Sequence, residues 1–429
     1  MTTRTPTLDR PIEGAEPPSP EVLFKEARQR RWRRWRRWII GISAVLVVAS
    51  LAAVVGHGAF GHSGHARVRK SSAPARGGSA SQKSSKHAAT SLESKQAATL
   101  TGLGCSSADT CTAVGDYYSE APVQHGSLVL RWNGTTWLRQ RAPVIGPATS
   151  LATIAVSCPT ARQCVAVGAS GAMVWDGNRW RAQAGVKGDA VSCPSAGFCV
   201  AVGSSIRRLN TEIWRDDKWT SEAMPLPTAP TPLQSVTLAG LSCTSERFCI
   251  AVGDYSYGAT AQPSPSGREL TLAEVWNGDG WRLAPPINPA PLSAFRGVSC
   301  RSPEFCVAVG TQRTEFTLAE RWTGADWKVQ ASPNPSTLGY SVLDAVSCPS
   351  THVCESVGSY NGSLIAESWQ EGQWSLHEVP SPGPVVSSFA LSCPAPDACV
   401  SAGMADGRPF SQIWNGHAWH AQRTPSTLP

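Results

Sequence analysis

The chain lacks the short signatures by which catalytic sites commonly show themselves. It has no His-Glu-x-x-His pair, no Gly-x-Ser-x-Gly turn, no phosphate-cradling glycine loop and no acidic calcium loop. That weakens the case for an enzyme without closing it, because sites assembled from scattered residues leave no motif. Charge is sparse, at 16% of residues, and only six tyrosines stand against 17 tryptophans. Cysteine is absent outside one repeated unit, and long apolar runs are absent except for one near the N-terminus.

The repeated unit reads Ser-Cys, five residues, Cys-Val-Ala-Val-Gly, a variable stretch, then Trp-Asn-Gly-x-x-Trp. Its seven copies hold all 14 cysteines, as Cys105/Cys111, Cys158/Cys164, Cys193/Cys199, Cys243/Cys249, Cys300/Cys306, Cys348/Cys354 and Cys393/Cys399. They also hold 14 of the tryptophans, from Trp132/Trp137 to Trp414/Trp419. First cysteines follow one another at 53, 35, 50, 57, 48 and 45 residues, the period of a propeller blade.

Each copy has four short apolar runs separated by turn chemistry, and so reads as a four-stranded antiparallel sheet. In the fifth copy the runs are Phe295–Cys300, Cys306–Gly310, Leu318–Trp322 and Trp327–Ala331. The second run is nearly all Val and Ala, suited to a strand covered on both faces. The expected fold is all-β, a seven-bladed β-propeller of four-stranded blades, preceded by one transmembrane helix and a disordered stalk. A linear solenoid is the alternative, but its end copies should be polar caps, and the seventh copy is as complete as the third. No terminal strand is left over to complete another blade. Closure is therefore expected from packing between blades one and seven, or from residues near Ala97–Gly104 joining a different sheet.

The Cys-x5-Cys and Trp-x4-Trp turns barely vary and fall on one face of the disc. The other connections fall on the opposite face and vary widely, from Ala169–Gly171 to the Gly, Pro and Ser-rich Asp254–Glu269. A rigid scaffold carrying variable loops on one face is how binding surfaces are usually built.

Seven local cysteine pairs point to disulfides formed in an oxidising compartment, each stapling a hairpin across its turn. Zinc is a poor competitor, because the spacing is not that of a knuckle and no histidines recur with it. Ile39–Gly56 is an uncharged, mostly apolar run, preceded by the arginine-rich stretch from Arg28 to Trp38. Together they read as a signal anchor with its N-terminus inside, Trp32, Trp35 and Trp38 lying at the headgroup boundary. A cleaved signal peptide is the alternative, but no clean Ala-x-Ala site closes the run. The expected organisation is a basic cytoplasmic tail over 1–38, a transmembrane helix over 39–56, a flexible stalk over 57–98 and the propeller over 99–429. Residues 1–98 carry all of the excess positive charge, and the propeller keeps 21 basic and 25 acidic residues, a net of −4. A nucleic-acid groove is therefore not expected.

Tyr117, Tyr118, Tyr255, Tyr257, Tyr340 and Tyr360 all lie in or beside connections of the variable face, and tyrosine is favoured in binding surfaces. Four residues before each first cysteine stand Thr101, Ile154, Asp189, Ala239, Arg296, Asp344 and Phe389. If the first strand is innermost, Asp189, Arg296 and Asp344 point into the mouth of a central channel. There they can orient a polar ligand or serve acid–base chemistry. The tryptophan pairs read as packing across hairpins. Glu212, Glu274, Glu320 and Glu367 recur two residues before a tryptophan and read as hydrogen-bonding groups between blades. His57, His62 and His65 make at most a loose metal site.

The repeat resembles bacterial extracytoplasmic β-propellers, particularly the cysteine-paired repeats of actinobacterial surface proteins, over Leu100–Gln422. Its tryptophan hairpins look distantly like the turns of sialidase-type and Kelch-type propellers. Met173–Trp180 comes closest to the sialidase Ser-x-Asp-x-Gly-x-x-Trp box but lacks its serine. The resemblance implies the fold and carries over no function. The expected role is binding a cell-surface glycan, an envelope component or a protein through the variable face. The alternative is a glycan-active hydrolase or lyase with carboxylates at the channel mouth. No cofactor, metal or nucleic acid is expected, the membrane partner is reached through the N-terminal helix, and the chain is expected to be a monomer.

Overall fold

The computed structural model describes residues 96–425, apart from 121–122, 147–153, 206, 217, 259–267, 314 and 384–385. The expected tail, membrane helix and all but the last residues of the stalk lie outside the described residues. No helix among the described residues is long and apolar enough to cross a membrane.

Seven antiparallel sheets follow one another as a β-propeller, each built from four consecutive strands, with blade one's innermost strand broken in two. Blade one spans residues 96–140, followed by 154–183, 190–223, 233–283, 293–330, 341–377 and 386–422. Several hairpins outrun the sequence reading. Within Asp254–Glu269, expected as loop, residues 254–257 and 268–269 continue the ladder, pairing Ser256 with Glu269 and Tyr257 with Arg268. The alternation of Tyr-Ser-Tyr facing Arg-Glu-Leu-Thr-Leu suits a ladder, so the strands extend past the glycine.

The repeat maps onto the blade as lateral rows. Cys249 pairs with Cys243 on one side and Trp276 on the other, and Trp276 pairs with Trp281. The same row is Cys300–Cys306–Trp322–Trp327 in blade five. All seven disulfides form, with Cα atoms 3.9–4.1 Å apart, and no cysteine is free.

The setting of these disulfides departs from a simple staple across a surface turn. The second cysteine of every pair is at most 1% exposed: Cys111, Cys164, Cys199, Cys249, Cys306, Cys354 and Cys399. Each packs into the apolar seam against the preceding blade. Cys111 lies in the seam between blades seven and one, Cys164 between one and two, Cys354 between five and six, and Cys399 between six and seven. The physical reason is position. The second cysteine opens the second strand, which neighbouring blades cover on both faces, so its sulfur serves as core as well as crosslink. These cysteines are structural.

Paired indoles pack with ring centroids 5.3–5.8 Å apart in six blades. Every repeat tryptophan except Trp219 is buried, which assigns them to packing. The Asn or Asp that opens the tryptophan turn caps it: Asn133 Oδ1 accepts from the N–H groups of Thr135 and Thr136, and Asp176 Oδ1 from those of Asn178 and Arg179.

Strand two, Cys-Val-Ala-Val, faces two neighbours at once. In blade three Cys199 and Ala201 face blade two, while Val200 and Val202 face blade four. Blade five repeats this, with Cys306 and Ala308 towards blade four and Val307 and Val309 towards blade six. Period-two alternation thus turns one short motif into both walls of successive seams. Each seam has its own apolar cluster, and the one joining blade seven to blade one contains Leu100, Leu103, Ala390, Val400 and Ala402.

A belt of hydrogen bonds follows the same seams. The serine before each first cysteine accepts from the N–H of the next blade's first cysteine: Ser157 from Cys193, Ser192 from Cys243, Ser242 from Cys300, Ser299 from Cys348 and Ser347 from Cys393, at 2.9–3.0 Å. Ser392 closes the circle by accepting from Cys105 at 3.1 Å. Only between blades one and two is the link missing, because Gly104 stands where the serine would be. The ring therefore closes by packing and this belt. Gln96–Ala98 joins blade one's own sheet, with one bond from the Ala98 N–H to the Gly407 carbonyl.

Candidate functional site

The innermost strands surround a cavity of about 640 Å³ on the propeller axis. A recurring irregularity decides what faces it. In blade five Phe295 pairs with Gly310 and Gly297 with Val309, so Arg296 is left over as a β-bulge. Asp344 occupies the same bulge in blade six and Ala239 in blade four. A bulge re-aims its extra side chain, here into the channel. The glycine of Cys-Val-Ala-Val-Gly makes room for it: a Cβ at Gly310 would lie 1.9 Å from the Ala294 carbonyl oxygen, and one at Gly253 would lie 2.0 Å from that of Thr237.

Thr101, Asp189, Ala239, Arg296 and Asp344 all line the cavity, whereas Ile154 is fully buried in the seam between blades one and two. Thr101 is turned to blade two, donating to the Ile154 carbonyl at 2.9 Å and accepting from its N–H at 2.8 Å. Two residues further along each strand lies a collar of seven aliphatic side chains: Leu103, Val156, Val191, Leu241, Val298, Val346 and Leu391. The mouth is polar on the side of blades three to six and mostly apolar on the remaining side.

The polar groups are held in place. Asp189 Oδ2 accepts from the Ser204 N–H at 2.7 Å and from its hydroxyl at 2.6 Å. The Thr237 hydroxyl donates to Asp254 Oδ1 at 2.6 Å. Burial pushes the Asp344 carboxyl up to about 7, against the opposing pull of Arg296. Asp344 still touches the channel, but protein surrounds it closely enough to strip most of its hydration. Burial also raises Asp254, which is opposed by its Thr237 hydrogen bond and by Arg296, and it raises Glu269. Arg296 itself is exposed at the mouth and makes no hydrogen bond or ion pair with the described residues.

Of the tyrosines, only Tyr340 reaches this cavity. Its N–H donates to Asn361 Oδ1 at 2.9 Å, its carbonyl accepts from the Asn361 N–H at 2.9 Å, and Tyr360 Oη donates to the neighbouring Leu338 carbonyl at 2.6 Å. The loop is thereby pinned, with Tyr340 45% and Leu338 79% exposed. Tyr117, Tyr255 and Tyr360 share one register, two residues past the glycine, and pack against three different seams. Tyr257 stacks on Tyr255 at 6.1 Å. Tyr118 is half-buried on the extended second strand of blade one. Sequence reasoning missed Ser204, Thr237 and Asp254, whose places depend on how far the strands run past the glycine.

The glutamates hold incoming connections. Glu320 accepts from the Ile287 N–H at 3.0 Å, and Glu367 from the Ser332 hydroxyl at 2.8 Å. In blade seven Gln412 stands at the same position and donates to the Pro380 carbonyl. Glu212 instead accepts from Ser221 within its own blade. Glu274 is fully buried with neither carboxyl oxygen bonded to the described residues, and burial pushes it up to about 8. Among the described residues no group of three or more metal-ligating side chains converges. The stalk histidines lie outside the described residues.

No family model matches the chain, and no curated protein matches it. Solved structures do. YCF48 from Cyanidioschyzon merolae is 13% identical, with a TM-score of 0.49, 75% of this chain covered and 98% of that one. The fucose-specific lectin of Aleuria aurantia is 13% identical, with a TM-score of 0.43 and coverage of 78% and 97%. A GH74 xyloglucanase from Xanthomonas campestris is 15% identical, with a TM-score of 0.44 and coverage of 75% and 60%. At this level of similarity nothing about ligand or chemistry transfers.

Proposed function

We propose that the protein is a membrane-anchored, extracytoplasmic binding module that recognises a cell-surface glycan, an envelope component or a protein. Residues 39–56 anchor it, and the ligand enters the channel mouth from the variable face. Residues 57–95 hold the propeller off the bilayer, the expected stalk being shortened by Gln96–Ala98, which joins blade one. Seven disulfides support an oxidising location. The observation that carries the reading is Arg296, a guanidinium without a hydrogen bond to the described residues, placed by a β-bulge in a cavity where Asp189 and Asp254 are already hydrogen-bonded. Arg296, Tyr340, Asp189 and Asp344 are the contact residues of this reading.

Residues 89–429 form a compact unit with every blade completed from within, and so can be tested alone. Saturable binding to a glycan array or to isolated cell envelopes is expected, weakened by Arg296→Gln and by Tyr340→Ala. No binding to either would sink the glycan and envelope readings and leave a protein partner. Full-length chain should partition with membranes, and recovery in the soluble fraction would remove the anchor.

One observation favours a second reading. A cavity carboxyl raised to about 7, as Asp344 is, suits general-acid chemistry near neutral pH. Turnover of a bound glycan, abolished by Asp344→Asn while binding persists, would establish an enzyme instead.

A further inference from the structure

Resting on the binding reading above, we propose that the channel mouth is a subsite for the carboxylate of an acidic saccharide, a uronate-type sugar gripped by the Arg296 guanidinium.

Hydrogen-bonding capacity at the channel mouth is unevenly used. Asp189 spends one oxygen on Ser204, and Asp254 spends one on Thr237. Arg296 spends none on the described residues, lines the cavity and is exposed, so its planar fork of donors is left available there. Such a fork fits a planar carboxylate with two parallel hydrogen bonds. Asp254, Glu269 and Asp344 all stand close enough to act electrostatically on Arg296. That surrounding negative charge disfavours a phosphate dianion more than a carboxylate monoanion.

A saccharide is favoured over a peptide terminus by what surrounds the arginine. Tyr340, its backbone pinned by Asn361, offers a partly exposed ring to the C–H face of a sugar. Asp189 Oδ1 makes no bond with the described residues and is left for a sugar hydroxyl. The volume of about 640 Å³ lies in the ordinary range for small ligands.

The subsite has a built-in pH dependence. The charged groups facing Arg296 are Asp344 from blade six and Asp254 and Glu269 from blade four, with Asp189 of blade three on the same cavity. Below about pH 7 Asp344 is protonated and no longer competes for the Arg296 charge. As the pH rises through that value Asp344 ionises and competes with the ligand carboxylate, so binding weakens. The raised Asp254 and Glu269 act in the same direction.

The test titrates residues 89–429 with galacturonate, glucuronate and mannuronate oligosaccharides and with their methyl esters. At least one acid form should bind near pH 6, with its ester about tenfold weaker or worse. Arg296→Gln should lose as much, and Arg296→Lys should recover only part. Binding should weaken by about tenfold towards pH 8.5 in the native chain and by clearly less in Asp344→Asn. An ester that binds as well as its acid, an indifferent Arg296→Gln, or no binding by any uronate would overturn the subsite. Binding of a peptide only through its C-terminal carboxylate would reassign the arginine to a protein partner and also overturn it. Isolated envelopes run in parallel separate the two claims. Envelope binding that survives Arg296→Gln removes the subsite alone, whereas no envelope, glycan or peptide binding by the native chain removes the binding reading with it.

Discussion

At Glu274 the repeat places a carboxyl where blades one and two place Leu130 and Met173. An apolar side chain therefore fits that position, and the glutamate has no partner among the described residues to offset its lost hydration. Its folded pKa of about 8 lies above its unfolded value, so the folded state binds the extra proton. Its contribution to stability is then greatest below the unfolded pKa and declines as pH rises towards about 8. Glu274→Met should raise the melting temperature, by more at pH 9 than at pH 5. A melting temperature lowered equally at both would show that the carboxyl has a partner worth keeping. Asp176 makes the contrast: it is exposed, its Oδ1 accepts from two backbone N–H groups and its Oδ2 from Arg181, and it is lowered to about 2.

Within a blade, the controlling device is the bulge of the first strand and the glycine opposite it. Adding a methyl at Gly310 forces the Ala294 carbonyl away, and that carbonyl belongs to the strand that aims Arg296. Gly310→Ala should cost about 2–3 kcal/mol and weaken ligand binding beyond any loss of folded protein. Unchanged melting with unchanged binding would show that the bulge is not held by this contact. The serine belt works between blades. Ser392→Ala removes the belt's bond across the closing seam and should cost about 1 kcal/mol. Amide exchange at Cys105 should accelerate in this variant, and unaltered protection there would refute the role given to the bond.

The propeller as a whole gathers several carboxyls that burial raises: Glu274 and Glu367 to about 8, and Glu355 and Asp344 to about 7. All four bind protons more tightly folded than unfolded, so their effects add in one direction. Stability should fall as pH climbs from about 5 to about 8, and a melting temperature rising across that window would contradict the burial assigned to them. The seven disulfides each close a short loop and contribute about 2 kcal/mol apiece in the loop-entropy model. Alkylation of the non-reduced protein should label no cysteine. Several labelled thiols would undo the oxidising-compartment argument along with the pairing.

Blade number, strand count, cysteine pairing and the packing role of the tryptophans were legible in the sequence. All rest on local chemistry repeated seven times: a turn between two cysteines, a capped hairpin between two indoles, and period-two alternation. The positions of Asp189, Arg296 and Asp344 were also legible, because counting back from a cysteine gives a register. Other features depended on the tertiary structure. Cys111, Cys164, Cys354 and Cys399 are core residues because a neighbouring blade covers them, which their own hairpins do not foretell. The bulge is a mismatch between two strands and belongs to neither strand alone. The serine belt joins residues 36 to 58 positions apart, and at the closing seam 287, which no local pattern links. Tyr117, Tyr255, Tyr257 and Tyr360 are separated from the cavity, and Tyr340 is brought to it, by how far each hairpin runs before turning. That length is not written in the local pattern, and it decides which of six similar side chains lines the cavity.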